Sequence, residues 1–197
     1  MGTNNNHPAK GSIIEVQPIT DLAAIETIKN NLRKNPRDYA LFITGINTAF
    51  RACDLLQLKI STMAHIKPGD EIVLREKKTG KKRYININNA VYEATQGLIK
   101  TLPEDGNDWL FRSERTGEPL EVPTFCGMVK KWCRRAHIKG NYGSHSLRKS
   151  WGYHQRVQFK TPLYLLMKAF GHSSELVTSR YIGIQTEEMK NVFMREI

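Results

Sequence analysis

The stretch GHSSELVTSRYIG, residues 171–183, places a histidine and a tyrosine close to the end of a basic chain. His172 and Tyr181 stand nine positions apart, too far for one helical turn, so they can meet only if the chain bends between them. Two serines follow the histidine, and serine is a preferred residue just before a helix, where Glu175 also suits the positive end of the helix dipole. We therefore predict a bend at the serines and a short helix from Glu175 that delivers Tyr181.

The bend falls at Ser173 and Ser174, and the predicted helix spans residues 175–180. A tyrosine on a short amphipathic helix commonly serves as a packing residue, so Tyr181 has two interpretations at this point. It is either part of the core or part of a site whose other members lie elsewhere in the chain.

The length and composition predict one globular domain with a proper core. The chain has 197 residues, of which 40% are hydrophobic and 25% are charged. No apolar run approaches the roughly 20 residues that span a bilayer, so no membrane partner is expected. Residues 1–17 are mostly polar and are interpreted as a disordered lead or a cloning remnant, which leaves residues 18–197 as the folded domain.

The charge balance favours a nucleic acid as the partner. Thirty Lys and Arg residues against nineteen Asp and Glu residues give a net charge of +11, and the pI is about 9.7. Such a surplus suits a phosphate backbone, although a basic protein with a merely solvated surface remains the alternative.

The cysteines do not predict a disulfide framework or a metal centre. Cys53, Cys126 and Cys133 are odd in number and lie in apolar-leaning segments, which indicates reduced thiols in a cytosolic protein. A zinc site built from Cys126, Cys133 and His137 would lack a fourth ligand, so we expect no metal.

Apolar periodicity predicts a mainly α-helical fold with a small antiparallel β-hairpin, an α+β class. Thr20 or Asp21 can cap the first helix, and Ser144 can cap the helix that holds a His-x-x-Arg motif. The hairpin turns at Thr79 and Gly80. The predicted helices cover residues 18–35, 36–47, 52–58, 89–101, 122–136, 144–157, 163–170 and 186–197, and the hairpin covers residues 71–87.

Three groups of basic residues are candidates for phosphate contacts, and each could equally be a solvated surface. One is the hairpin tip, one is the outer face of the helix over residues 122–136, and the third is a lysine that follows the His-x-x-Arg motif. The candidates for DNA contact are Lys77, Lys81, Lys82, Arg83, Lys130, Arg134 and Lys149.

Arginine and histidine residues in two other segments suit the chemistry of a phosphodiester. His145 and Arg148 have i, i+3 spacing, which puts imidazole and guanidinium side by side on one helix face. An arginine can hold non-bridging oxygens while a histidine handles a proton. Arg51 stands just before a buried helix and needs an acidic partner, a phosphate or exposure to solvent. His-x-x-Arg also occurs often as a purely structural pair.

Several motifs, taken together and in chain order, resemble the catalytic domain of the tyrosine recombinase (phage integrase) family. In that family an Arg-x-x-Glu/Asp segment is followed by a hairpin lysine, a His-x-x-Arg, a Gly-His about two dozen residues later, and a nucleophilic tyrosine nine residues after that histidine. Arg148 here stands 24 positions before His172. The motifs are TAFRACDLLQL at 48–58, KTGKK at 78–82, HSLRKSWG at 145–152, FGHSS at 170–174 and TSRYIG at 178–183, and the resemblance covers residues 19–196.

The resemblance implies site-specific recombination of double-stranded DNA through a 3′-phosphotyrosine, with Tyr181 as the nucleophile. Arg51 and Arg148 would hold the non-bridging oxygens and His172 would donate to them. Lys78 would be the general acid on the leaving 5′-oxygen, with Lys77 and Lys81 as rivals, and His145 would accept or orient the tyrosine proton. No metal, ATP or other cofactor is required.

The resemblance also implies a homotetramer on DNA, docked through the C-terminal segment, and a cytoplasmic, nucleoid-associated location. Two departures from the family pattern stand out. Ala49 replaces the glycine of the usual Thr-Gly-x-Arg turn, and the family's N-terminal helical domain is missing. The expectation is therefore either an excised catalytic domain or a naturally short recombinase similar to the fimbrial invertases.

Two other functions share these sequence features. A type IB topoisomerase uses the same chemistry but relaxes DNA without exchanging partner strands. A catalytically silent DNA-binding regulator could keep the same scaffold. A plasmid relaxation assay separates the first from a recombinase, and the complete set of site residues argues against the second.

Overall fold

The computed structural model describes residues 15–75, 80, 82–184, 192–194 and 196. These residues form nine helices and one two-stranded antiparallel sheet, which confirms the predicted fold class. In chain order the elements are α1 (Leu22–Leu32), α2 (Pro36–Asn47), α3 (Ala52–Leu55), α4 (Ile60–Met63), β1 (Glu71–Arg75), β2 (Lys82–Asn86), α5 (Asn89–Ile99), α6 (Val122–Arg135), α7 (Ser144–Val157), α8 (Leu163–Phe170) and α9 (Glu175–Ile182).

Side-chain caps set the starts of the first two helices. The Asp21 carboxylate accepts a hydrogen bond from the Ala23 backbone N–H at 2.9 Å, so Asp21 rather than Thr20 is the cap of α1. Asn35 accepts from the Asp38 N–H at 3.0 Å, and Pro36 occupies the first position of α2, where its missing N–H costs nothing.

The main core is organised around α2, whose residues 40–46 are all buried. This helix packs against α1, α5 and α7. The inner face of α6 closes the core through Phe125, Val129, Trp132 and Cys133, as its periodicity predicts. The Trp132 ring meets the Phe42 ring edge-on, with 5.9 Å between the centroids.

A second cluster, which we call the small core, lies beside the main one. Its buried members are Ala49, Leu166, Phe170, Ile182 and Ile184. They come from the loop after α2, from α8, from the last residue of α9, and from the second residue after α9. The small core therefore joins the three segments that carry the family motifs around residues 51, 172 and 181.

The sheet is the predicted hairpin, with Glu71 opposite Asn86 and Arg75 opposite Lys82. Exposure alternates along β2, so Arg83 and Ile85 are half-buried while their neighbours face solvent. Three of the lysines predicted at the tip, Lys77, Lys78 and Lys81, lie outside the described residues.

The structure corrects several boundaries. α1 begins at Leu22, directly after the predicted cap Asp21, and ends at Leu32, three residues before the predicted end at residue 35. Leu22 has the spacing of an apolar stripe with Ile25, Ile28 and Leu32 but is 54% exposed. α3 ends at Leu55, and α4 has no counterpart among the predicted helices. Most of the predicted last helix, residues 186–197, and the lead up to residue 14 lie outside the described residues.

The predicted cap of α7 is also wrong. Gly143 caps this helix and Ser144 is its first residue. The Gly143 N–H donates to the Ser146 hydroxyl at 3.1 Å, while the Ser146 N–H donates to the Gly143 carbonyl. A Cβ at position 143 would lie 2.8 Å from the Cys126 sulfur, so any other residue here would force the Cys126 side chain to shift.

A second glycine of α7 allows this helix to approach α8 and α9. A Cβ added at Gly152 would lie 2.5 Å from Phe170 Cζ and 2.7 Å from Ile182 Cγ2. We expect Gly152→Ala to lower the free energy of unfolding by about 1–3 kcal/mol, because overpacking forces the small core apart. Denaturant titration measures the change.

The matched control is Gly97→Ala in α5, where an added Cβ meets nothing within 4 Å. It should raise the free energy of unfolding by about 0.5–1 kcal/mol, since alanine favours a helix interior over glycine. Equal stabilities of the Gly152→Ala and Gly97→Ala proteins would contradict the close approach of α7 to α8 and α9.

Candidate active site

Tyr181 lies at the end of α9 with its hydroxyl turned into a pocket of basic residues. The hydroxyl oxygen is 3.5 Å from His145 Nδ1, at the long end of the hydrogen-bond range. The tyrosine ring meets the His172 ring edge-on at 5.0 Å between centroids and the Phe170 ring at 5.2 Å. The predicted meeting of His172 and Tyr181 is therefore present, and Tyr181 is half-buried rather than part of the core.

The predicted bend is built from a glycine and a serine. Gly171 ends α8 in the left-handed conformation, with φ of 67°, and the His172 N–H returns to the Met167 carbonyl at 3.0 Å. Ser174 then caps α9 by accepting from the Val177 N–H at 3.2 Å. The Gly171 cap turns the chain just before His172, the Ser174 cap turns it between His172 and Tyr181, and α9 runs on to Ile182.

Arg148 is the most buried charge of the pocket, at 4% exposure. Its guanidinium donates through Nη1 to the Ala49 carbonyl and through Nη2 to the Phe170 carbonyl, the latter at 2.8 Å. It also lies 4.9 Å from the centroid of the Phe170 ring. Arg148 thus connects α7 to the loop before Arg51 and to the end of α8.

Burial lowers the pKa of Arg148 to about 10, and the positive charges of Arg83 and Arg51 act in the same direction, while Tyr181 opposes them. Arg148 remains charged at neutral pH. Arg51 caps the N-terminus of α3 with its backbone and is half-buried. Its charge also lowers the pKa values of His145 and His172, so the structure brings both predicted arginines into one site.

The alanine at the position of the usual family glycine has a structural role. Ala49 is buried, at 5% exposure, in the small core, and its carbonyl accepts from Arg148. The Ala49 methyl group is therefore buried in the small core, while the Ala49 carbonyl still accepts the hydrogen bond from Arg148. This departure leaves Arg51 at the site.

Both histidines of the pocket have lowered pKa values. Desolvation brings the pKa of His172 to about 4, with further lowering by Arg148, Arg51 and Arg83. The His172 ring stacks on Phe170 at 5.1 Å, and its Nδ1 lies 3.1 Å from the Thr178 hydroxyl. Partial desolvation, followed by the charges of Arg148, Lys149 and Arg51, also lowers the pKa of His145. At neutral pH the ring of His172 is neutral.

Burial raises the pKa of Tyr181, and the charge and hydrogen bonding of Arg148 and the charge of Arg51 oppose that rise. The phenol is therefore protonated in the resting protein and needs a base or a charged neighbour to react. His145 is the ring nitrogen base nearest to its hydroxyl in the described part of the chain.

The described basic candidates for DNA contact occupy different places. Lys82 is exposed on β2, and Lys130 and Arg134 are exposed on α6. The two α6 residues, with His137 and Lys139, line an open cavity of about 520 Å³.

Arg83 and Lys149 are less exposed than these three residues. Arg83 Nη2 donates to the Ala169 carbonyl, and its charge acts on Arg148 and His172, so it belongs to the pocket rather than to an outer surface. The alternating exposure of β2 is the signal that indicates its inward direction. Lys149 is 6% exposed and pairs with Glu15 at 3.0 Å, so it does not face solvent as a DNA contact would.

Within the described residues, no cluster of three or more His, Cys, Asp and Glu side chains could hold a metal ion. The same residues contain no helix long and apolar enough to cross a membrane.

The low pKa of His172 predicts how stability depends on pH. Because the unfolded chain binds a proton near pH 6.5 and the folded ring binds it only near pH 4, stability should be full above about pH 6.5 and fall as the pH decreases towards 4. His145 and His154 have lowered pKa values and act in the same direction. Urea titrations between pH 7 and 4.5 measure this slope.

We expect His172→Gln to reduce that slope, since glutamine cannot be protonated in this range. His65→Gln, which replaces an exposed histidine outside the pocket, is the matched comparison. A His172→Gln protein with the slope of the unaltered chain would show that the ring titrates normally in the folded state.

Comparisons with known proteins identify the family of the chain. The profile of the phage integrase family matches residues 19–188. The probable integrase/recombinase YoeC of Bacillus subtilis (strain 168) is 34% identical over 179 residues, which are 90% of this chain and 95% of that protein.

Two solved structures share the fold at 20% identity. The XerA recombinase has a TM-score of 0.73, covering 97% of this chain and 68% of its own. The XerH site-specific recombinase, bound to a palindromic difH substrate in a post-cleavage complex, has a TM-score of 0.68, covering 90% of this chain and 53% of its own. The chain therefore belongs to the phage integrase family, the family of the tyrosine recombinases.

Proposed function

We propose that this chain cleaves and rejoins double-stranded DNA at specific sites through a 3′-phosphotyrosine formed on Tyr181. The observation that carries the proposal is the position of the Tyr181 hydroxyl, which lies 3.5 Å from His145 Nδ1. The charge and hydrogen bonding of the Arg148 guanidinium also lower the pKa of this hydroxyl. A phenol held beside a base and a buried cation is arranged for attack on a phosphodiester.

In this mechanism the tyrosine oxygen attacks the phosphorus in line, and the bond to the 5′-oxygen of the next nucleotide breaks. The bond energy is kept in the phosphotyrosine, so a free 5′-hydroxyl can reverse the step on the same or another strand without ATP. Arg51 and Arg148 hold the non-bridging oxygens, where negative charge increases in the transition state.

The histidines have separate roles in the proposal. His145 accepts or orients the Tyr181 proton. Its lowered pKa suits this role, because the neutral ring is available as a base. His172 donates to a non-bridging oxygen. Its Nδ1 already lies against Thr178, so Nε2 is the atom left for phosphate, and the incoming negative charge would raise the pKa of the ring.

The general acid on the leaving 5′-oxygen is proposed to be Lys78, with Lys77 and Lys81 as alternatives. All three lie outside the described residues, and the hairpin that carries them begins and ends in β1 and β2. Arg83 of β2 donates to the Ala169 carbonyl at the pocket, and this contact of the strand that follows the lysines supports the proposal.

The proposed partner is double-stranded DNA, and the Tn1549 transposon integrase has been solved in complex with circular intermediate DNA. Lys82 on β2 and Lys130 and Arg134 on α6 are the proposed backbone contacts, since all three are exposed cations. We propose residues 18–197 as one catalytic domain that assembles as a homotetramer on DNA through its C-terminal segment, in the nucleoid of the cell.

Strand exchange is favoured over simple relaxation as the outcome of the chemistry. The relatives carry the names integrase, recombinase and transposase. The docked tyrosine favours an active enzyme over a silent DNA-binding protein on the same scaffold.

The decisive experiment is the recovery of DNA covalently attached to the protein. Cells that carry the native DNA and express the chain are lysed in detergent, protein-linked DNA is purified and sequenced, and the linked residue is identified by mass spectrometry of the nuclease-treated adduct. A single recurrent sequence attached to Tyr181 is expected. An adduct on another residue, or none, would reject the proposed nucleophile.

A further inference from the structure

The segment before α1, residues 15–19, which we call the strap, is tied to α7 and to the loop before it. The Gln17 N–H donates to the Asn141 carbonyl, and the Asn141 side chain donates back to the Glu15 carbonyl, both at 2.9 Å. The Ile19 N–H donates to the Ser150 hydroxyl at 2.6 Å, and the Ile19 carbonyl lies 2.9 Å from His154 Nε2. Hydrogen bonds therefore hold the strap through both its backbone N–H groups and its backbone carbonyls.

One ion pair of the strap reaches the neighbourhood of the nucleophile. Glu15 Oε1 lies 3.0 Å from Lys149 Nζ, and the lysine side chain is 7% exposed whereas the glutamate side chain is 73% exposed. The same Nζ lies 5.1 Å from the centroid of the Tyr181 ring, within the range of a cation–π interaction. Lys149 thus contacts the strap and the tyrosine with one ammonium group.

A buried lysine is costly to keep charged unless its ammonium group has partners. Here the partners are a carboxylate that comes from 134 positions earlier in the chain and the face of the tyrosine ring. The ring of Tyr181 is also restrained by Phe170 and His172, at 5.2 and 5.0 Å. Lys149 adds an electrostatic restraint to these two ring contacts.

We propose that Lys149 is a positioning residue for the nucleophile and that Glu15 of the strap holds it in place, an inference that rests on the proposed function of Tyr181. The cation over the ring keeps the hydroxyl directed at His145 and Arg148. The attraction strengthens when the phenol gives up its proton, because negative charge on the phenolate spreads into the ring. Loss of this attraction should therefore lower the cleavage rate rather than the DNA affinity.

The test uses single-turnover cleavage of the recovered DNA site, made as a nicked substrate that traps the covalent product, with DNA affinity and thermal stability measured beside it. Lys149→Met should slow cleavage by about 10-fold with DNA affinity within about twofold, given the usual strength of a partly desolvated cation–π pair. Lys149→Arg should retain the rate within about threefold, since it keeps the cation. Glu26→Gln, which removes the acid of the surface Glu26–Lys29 pair, is the control and should change nothing.

Glu15→Gln should slow cleavage by a smaller factor and have no further effect in the Lys149→Met protein, because it acts through the lysine. The exchange Glu15→Lys with Lys149→Glu separates positioning from simple anchoring. It restores the ion pair and the thermal stability, but it puts a carboxylate over the ring and should leave cleavage slow.

Recovery of the cleavage rate by the charge exchange would overturn the proposal, since the pair would then serve only to anchor the strap. Equal losses of rate and DNA affinity in Lys149→Met would also overturn it and make Lys149 a phosphate contact. The proposed function has its own readout, because an unaltered chain that forms no adduct on Tyr181 rejects it, whereas a normal rate in Lys149→Met rejects only the positioning role.

Discussion

Replacement of Tyr181 by phenylalanine is expected to abolish covalent attachment to DNA while leaving DNA affinity within about twofold, because affinity for DNA comes mainly from cationic contacts with phosphates. The phenylalanine ring keeps the packing against Phe170 and His172, at 5.2 and 5.0 Å, so the pocket stays formed. Only the oxygen that attacks phosphorus is lost. Adduct formation on the nicked substrate measures the chemistry, and a gel-shift titration measures binding.

Tyr164→Phe is the matched control. This tyrosine is exposed on α8, where its ring lies beside Lys168, outside the pocket. It should form adduct at the unaltered rate. An adduct that persists in Tyr181→Phe would show that another nucleophile acts. Loss of DNA binding together with the adduct would show that the hydroxyl contributes to holding DNA.

Replacement of Arg148 by alanine is expected to have the second largest effect, a loss of about 10²–10³-fold in cleavage rate, which is usual when one donor to a developing negative charge is removed. DNA affinity should change far less. The loss also reaches the fold, because the carbonyls of Ala49 and Phe170 lose their donor, at a cost of about 1–3 kcal/mol for each buried group left unsatisfied.

Arg148→Lys separates the loss of cleavage rate from the loss of stability. Lysine keeps the charge but lacks the planar fork that reaches two carbonyls and a phosphate at once, so we expect cleavage between that of the alanine variant and the unaltered chain. Thermal unfolding of each variant shows how much of the loss is structural. Equal losses of cleavage and affinity in Arg148→Ala would make this residue a simple phosphate anchor.

Local patterns were sufficient to predict much of the fold. α2 and α8 have the predicted boundaries because Pro36 and Pro162 mark their starts and an asparagine and a glycine stand near their ends. The inner face of α6 follows directly from its helical period. α4 was missed because its four residues form a single turn, and a single turn has too few residues for a periodic pattern.

In the site, too, local features were predictable from the sequence and contacts between distant residues were not. The meeting of His172 with Tyr181 was predictable because the bend depends on a local signal, the serine that caps α9. The burial of Lys149 was not, because its neighbours on α7 are polar and its partner Glu15 is far away in the chain. The contact of Arg83 with the pocket was not predictable for a similar reason, since its inward direction depends on which face of the hairpin packs on α8.

The small core decides how freely Tyr181, the proposed nucleophile, can move. Ile182 directly follows Tyr181 in the chain, and Ile184 lies two residues further on, and both side chains are fully buried. Withdrawing the end of α9 from the protein would expose both, at about 1.5–3 kcal/mol for each side chain. The tyrosine is thus already seated before DNA arrives, and its departure requires a local opening that amide hydrogen exchange along α9 would register as slow.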